Sequence, residues 1–224
     1  MGSMEHLWRH PIACTGHQYL GLCTLCRILY HQSADDHPAG IPELPHPSHR
    51  RCCHGEGMMN PFADRTNITS EEIHTLPYGC FEGKITIIEH RSEVKSAVEQ
   101  LKGEKLLGFD TETRPTFRRG QFHHVAMLQL SAKHHAWLFR LHKTGFTPEL
   151  ASVLEDPSII KCGVAIRDDL KALQKLRKFE PDGFVELAHL AKERGLEVEG
   201  LRKLAAILLG IRISKSAQTS NWEV

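Results

Sequence analysis

Leu106-Leu107-Gly108-Phe109-Asp110-Thr111-Glu112-Thr113 sets two acids two residues apart at the end of an apolar run. Side chains alternate across an extended strand, so Asp110 and Glu112 project from the same face. Two like charges in a partly buried setting repel, and each raises the pKa of the other unless protons or cations neutralise them. A hard divalent ion bound by oxygen ligands resolves that conflict. The commoner fate of an acid pair with this spacing is the solvated face of an edge strand. Leu106, Leu107 and Phe109 argue instead for a central strand.

Working outward, residues 85–88 read as a strand and 93–101 as a helix that stops at Gly103. Downstream, 124–131 and 136–141 read as strands, 147–155 as a helix before Pro157, and 159–164 as a short buried strand. Helices follow over 168–176, 185–194 and 201–209, the last two ending at Gly195 and Gly210. Thr69-Ser70-Glu71-Glu72 is a helix-start pattern, with a hydroxyl to cap free amides and acids to complement the dipole. The expectation is an α/β domain, a mixed sheet flanked by helices, with an antiparallel portion where three strands follow one another.

The 224 residues are 41% hydrophobic and 25% charged, enough for one ordinary core with some length to spare. A net charge of +1 gives no general footprint for wrapping nucleic acid, so contact with such a partner is expected to be local. The longest apolar stretch, around 204–211, falls far short of the roughly 20 residues that cross a bilayer, and no signal peptide is read. Residues 1–58 are rich in His, Cys and Pro without sustained periodicity, and the expected domain runs over 59–224. Cys23, Cys26, Cys52, Cys53 and His54 offer a weak zinc-knuckle pattern, and the composition favours an irregular, non-homologous extension instead. Only Cys80 and Cys162 follow Met58, which suits a reducing compartment, a core without disulfides and a cytoplasmic location.

A second constellation runs from Ile159 through Gly163 and Val164 to Asp168, Asp169 and Leu170, a strand passing into a helix with acids near its start. Those acids suit the helix dipole in any protein. A phosphatase of the haloacid-dehalogenase type also ends an apolar strand in paired acids. Glu112 departs from its second Asp, and the later Lys and acids of that pattern are not found in order. A third string, Lys215-Ser216-Ala217-Gln218-Thr219-Ser220-Asn221-Trp222, reads as a polar loop with a Trp anchor.

Taken in order, the three strings resemble the DEDD exonuclease superfamily, which contains ribonuclease D, the Werner-type exonuclease and the proofreading domain of bacterial DNA polymerase I. The likeness is closest to the Werner and ribonuclease D branch and covers roughly 81–224. It implies a ribonuclease H-like fold and 3′-5′ hydrolysis of phosphodiester bonds that releases 5′-mononucleotides from DNA or RNA. It implies Asp110, Glu112 and Asp169 as catalytic ligands of two Mg²⁺ or Mn²⁺ ions, with Asp168 at a tolerant position. Relatives carry a final Y-x-x-x-D motif after the Ser-Asn-Trp string, so the expectation is a domain incomplete at its C-terminus, with that Tyr and Asp beyond Val224. Thr111 and Thr113 are expected to position the terminal nucleotide, and the loop with Phe117, Arg118, Arg119 and Gln121 either supplies stacking and phosphate contacts or is a solvated basic loop. A catalytically inactive nucleic-acid-binding or interaction module on the same fold is the alternative. His123, His124, His134 and His135 are read as strand-end residues, because Mg²⁺ favours oxygen. Oligomeric state is left open.

Overall fold

The computed structural model describes residues 60–79, 81, 83–113, 124–198 and 200–213. Helix α1 (Ser70–Thr75) starts where the sequence pattern puts it: the Thr69 hydroxyl accepts the Glu72 N–H at 3.2 Å, and the Glu72 carboxylate accepts the Thr69 N–H at 2.9 Å. Strand β1 (Lys84–Ile88) leads into α2 (Arg91–Leu101), which begins two residues earlier than its apolar periodicity suggests because His90 and Glu93 form a capping box.

Strands β2 (Leu106–Thr113), β3 (Val125–Ser131) and β4 (His135–Arg140) then form the antiparallel portion. A four-residue helix α3 (Leu141–Thr144) takes the residue read as the end of β4, and α4 (Pro148–Glu155) starts behind a Thr147 cap. Strand β5 (Ile160–Gly163) feeds α5 (Ile166–Leu176). Phe184–Glu186 is a strand, β6, which corrects the reading of 185–194 as helix throughout; α6 spans only Leu187–Glu193. Three residues are too few to show a period of two, and an apolar Val-x-Leu continues smoothly into the helix behind them. Helix α7 (Leu201–Leu209) ends at Gly210, whose φ of 67° makes the left-handed cap that glycine accepts without strain.

The sheet order is β1-β4-β3-β2-β5-β6, with β1 parallel to β4 and β2, β5 and β6 mutually parallel. One face, through Leu107, Phe109, Leu128, Leu130 and Phe139, packs on α2, α4 and α5. The other, through Leu106, Ile160, Cys162 and Val185, packs on α1, α6 and α7. Full burial of a side chain such as Phe109 or Leu107 stabilises by about 1.5–3 kcal/mol, and this offsets the cost of bringing the adjoining acids out of water. Cys162 is buried and disulfide-bonded, its partner cysteine lying outside the described residues. That differs from the expectation of a core without disulfides. No helix among the described residues is long and apolar enough to cross a membrane.

Candidate active site

The register explains how β2 can be both core and site. Leu106, Leu107 and Gly108 pair with Ile160, Lys161 and Cys162 of β5, and there the parallel pairing stops. From Asp110 onward β2 is paired only with β3, where Asp110 faces Gln129 and Glu112 faces Met127, up to a register shift before Thr113. The chain leaves β5 at Gly163 because nothing larger fits: a Cβ there would lie 2.7 Å from the Phe109 carbonyl oxygen and 2.4 Å from Ile166 Cγ2. It turns through Ala165, left-handed at φ 60°, into α5. The second half of β2 thus lies at the carboxyl ends of the parallel strands, the end of an open α/β sheet where ligands bind.

Asp110 and Glu112 share the face that carries Leu106 and Gln129, as alternation requires. Asp169 arrives from the other side, on α5, whose Ile166 and Leu173 pack with Phe109 on the opposite face. Thr111, pointing to that face, donates its hydroxyl to Asp169 Oδ1 at 2.5 Å. The third acid is thus tied to the strand that carries the first two. Asp168 points outward, with its side chain 91% exposed and Lys171 Nζ at 3.3 Å.

All three carboxyls are driven toward their protonated forms. The Asp110 residue is only half-buried, yet its carboxyl is enclosed, and this enclosure pushes its pKa well above the usual carboxylate range. Repulsion from Glu112 and Asp169 adds to the rise, and the Thr111 N–H at 2.9 Å opposes it. Burial and the charge of Asp169 raise Glu112 to about 7. Burial raises Asp169 as well, against the Thr111 hydrogen bond. Among the described residues no three His, Cys, Asp or Glu side chains close round one point as a preformed metal cage would. The acids sense one another's charge without converging. As a donor set they fit a hard divalent cation, since every donor is oxygen and the uncompensated charge is negative.

One participant escaped the sequence reading. Gln129 is 2% exposed on a strand buried along its whole length, its amide donates to Glu112, and its Oε1 has no hydrogen-bond partner. A lone amide in the apolar run Val125-Ala126-Met127-Leu128-Gln129-Leu130 was the available signal. Thr113 ends β2 in an exposed position. Phe117, Arg118, Arg119, Gln121 and His123 lie outside the described residues, as do the Lys215 to Trp222 string and the candidate zinc ligands. His124 and His134 are exposed beside β3 and β4, and His135 opens β4 with its Nε2 2.8 Å from Thr86 Oγ1, so these three sit at strand ends.

A sequence profile described as 3′-5′ exonuclease matches residues 85–224. The chain is 31% identical over 157 residues to the mouse bifunctional 3′-5′ exonuclease/ATP-dependent helicase WRN, an alignment covering 66% of this chain and 11% of that protein. It is 36% identical over 123 residues to exonuclease 3′-5′ domain-containing protein 2 of Drosophila melanogaster, covering 53% and 21%. The chain therefore spans a small fraction of the curated relatives it matches. Among solved structures, the Nibbler EXO domain of Aedes aegypti superposes with a TM-score of 0.56 at 19% identity, covering 63% of this chain and 75% of that one. The catalytic core of RRP6 from Trypanosoma brucei, in its C496S form, superposes at 0.58 and 21%, covering 76% and 49%. Escherichia coli RNase D gives 0.56 and 22%, covering 63% and 37%. At these identities the likeness shows the fold alone, and it is the α/β, ribonuclease H-like mixed sheet expected from the sequence.

Proposed function

This chain belongs to the 3′-5′ exonuclease family, a family of hydrolytic nucleases that generally uses divalent metals, and from that premise we propose that Asp110, Glu112 and Asp169 hold two divalent ions, Mg²⁺ or Mn²⁺, at the 3′ end of a nucleic-acid strand. The observation that carries the proposal is three carboxyls, two on one strand end and one on the helix tied to it, all pushed toward protonation by burial, with the charge of Asp169 raising Asp110 and Glu112 further. Such a cluster is unfavourable in isolation and becomes favourable when cations enter. Divalent ions, when bound, polarise a phosphoryl oxygen and lower the pKa of water.

The chain's own residues orient and hold. Asp110 sits deepest, tethered by the Thr111 N–H. Gln129 steadies Glu112 from β3, and the Thr111 hydroxyl fixes Asp169. That bond supports a role for Thr111 in positioning an acid, beside the contact with the terminal nucleotide that we propose for Thr111 and Thr113. Exposed Thr113 leads into the segment with Phe117, Arg119 and Gln121, which we assign to the terminal nucleotide, the aromatic for stacking and the arginine for phosphate.

The test is Mn²⁺-dependent shortening of a 5′-labelled single strand and of a recessed 3′ duplex. The 224-residue chain is run beside an Asp110→Ala control. Shortening from the 3′ end that vanishes in Asp110→Ala supports the proposal. Folded protein that binds both substrates without shortening either removes the catalytic assignment and leaves a nucleic-acid-binding module.

A further inference from the structure

We infer that Glu186, at the end of β6, is a positioning residue for Asp169, holding the left-handed turn through which β5 enters α5. The inference rests on the proposed role of Asp169 in holding metal. Ala165 is the one non-glycine residue among those described with a positive φ, a conformation that crowds an L-residue's Cβ against its own carbonyl. It also stands at the N-cap of α5, where alanine has no side-chain acceptor for the free amides. Both deficits are met by one carboxylate from elsewhere. Glu186 Oε1 accepts the Ala165 N–H at 3.0 Å and Oε2 accepts the Ile166 N–H at 3.0 Å. The two oxygens straddle the peptide unit that joins the left-handed residue to the helix.

Oε1 also accepts the Ala188 N–H at 3.3 Å, so the same group caps α6 and stands at the positive ends of two helix dipoles. Its reach is fixed from below, since Glu186 pairs with Gly163 in the β5–β6 register. Gly163 in turn lies against the Phe109 carbonyl of β2. Glu186, Gly163 and Phe109 therefore lock three strands to the entry of α5, and Asp169 follows three residues after Ile166. A side chain at position 165 able to cap locally would hold the helix end without reference to the sheet. A carboxylate anchored in β6 ties the orientation of α5, and with it Asp169, to the strand that carries Asp110 and Glu112. Without it, residue 165 has no reason to stay left-handed and the Thr111–Asp169 contact loses its alignment.

The experiment compares Glu186→Ala and Glu186→Gln with the parent chain by Mn²⁺ calorimetry, thermal unfolding, and amide shifts of 165–169 and Thr111 in metal-free protein. We expect Mn²⁺ affinity to fall roughly 10-fold in Glu186→Ala, the scale for a group supporting a metal ligand. A smaller loss is expected in Glu186→Gln, whose single amide oxygen serves one of the two N–H groups. Adding Ala165→Gly to Glu186→Ala should recover part of the affinity, because glycine adopts the turn unaided. Unchanged Mn²⁺ affinity and unchanged Thr111 and Asp169 shifts in Glu186→Ala would overturn the inference. So would a loss that merely follows global unfolding in both variants and is not recovered by glycine. If Asp169→Ala leaves Mn²⁺ binding intact, the metal assignment itself fails, while the metal-free shifts still decide whether Glu186 sets Asp169.

Discussion

Buried charges of opposite sign, a few residues apart on neighbouring strands, are treated in opposite ways. Lys161 of β5, fully buried, donates Nζ to the Asp156 carbonyl at 2.7 Å and lies 5.1 Å from the Phe184 ring, with Asp156 and Asp182 supplying opposite charge. Asp110 and Glu112, further along adjoining β2, feel the charge of Asp169, and the donors to them among the described residues are neutral, the Thr111 N–H and the Gln129 amide. Burial alone does not separate structure from function here. The lysine has its compensation inside the fold. Among the described residues the acids have no such partner, the asymmetry expected of a site completed from outside.

The sharpest way to break this contrast is Asp110→Asn, which removes one charge and keeps the shape. Exonuclease activity should fall on the order of 1000-fold, while the metal-free protein melts no lower than the parent. A thermal scan in chelator beside a strand-shortening assay checks both. A variant that loses stability along with activity would place Asp110 with Lys161 as a structural charge.

The two sites of buried charge should also answer pH with opposite causes. For the acids, folded pKa values lie above unfolded ones, so the folded state holds extra protons between about 4.5 and 7 for Glu112. Metal-free stability is then greatest below that window and declines as pH rises through it. A loss on the order of 2 kcal/mol between pH 5 and 8 is expected after discounting for solvent, and Glu112→Gln should flatten it. Urea midpoints in chelator measure this, and a parent chain that is flat over that range contradicts the reading of the site.

Lys161 runs the other way in proton count. Its folded pKa, lowered by burial from 10.5 to about 8, means the folded state sheds its proton first, so its penalty is full below 8 and fades as pH approaches 10.5. Lys161→Met should therefore compare best with the parent at neutral pH, and the difference should narrow by about 2 kcal/mol between pH 7 and 9.5. Activity at fixed pH should follow folded fraction only. The smallest effect is expected at Gln129. Gln129→Met preserves volume, keeps the fold, and should raise the Mn²⁺ needed for half-maximal activity roughly 10-fold. An unchanged metal requirement would make Gln129 a packing residue.

Much of the fold was legible because its long elements announce themselves locally. The alternation in Leu106 to Thr113 and the apolar stripes of α2, α5 and α7 were read with boundaries off by at most two residues. Capping explains the errors: His90 and Ala165 extend helices beyond the first apolar position. β6 was missed because three residues carry no period, and Glu186 with it, although that carboxylate caps two helices. Gln129 was passed over because a single amide on an apolar strand has meaning only once its register partner, Asp110, is known.

The sequence by itself determined that Asp110 and Glu112 share a face, that a strand through Gly163 delivers Asp169 at a helix start, and that the chain is an α/β domain of this family. These follow from the period of the backbone and from motifs a few residues long. Only the tertiary structure decided that β5 parts from β2 after Cys162, that α5 crosses on the opposite face of the sheet, and that Thr111 ties Asp169 to the strand bearing the other two acids. The physical reason is range. Which face a side chain takes is set by its neighbours in the chain, whereas convergence of groups 58 residues apart, as for Thr111 and Asp169, depends on register and packing that no local pattern encodes.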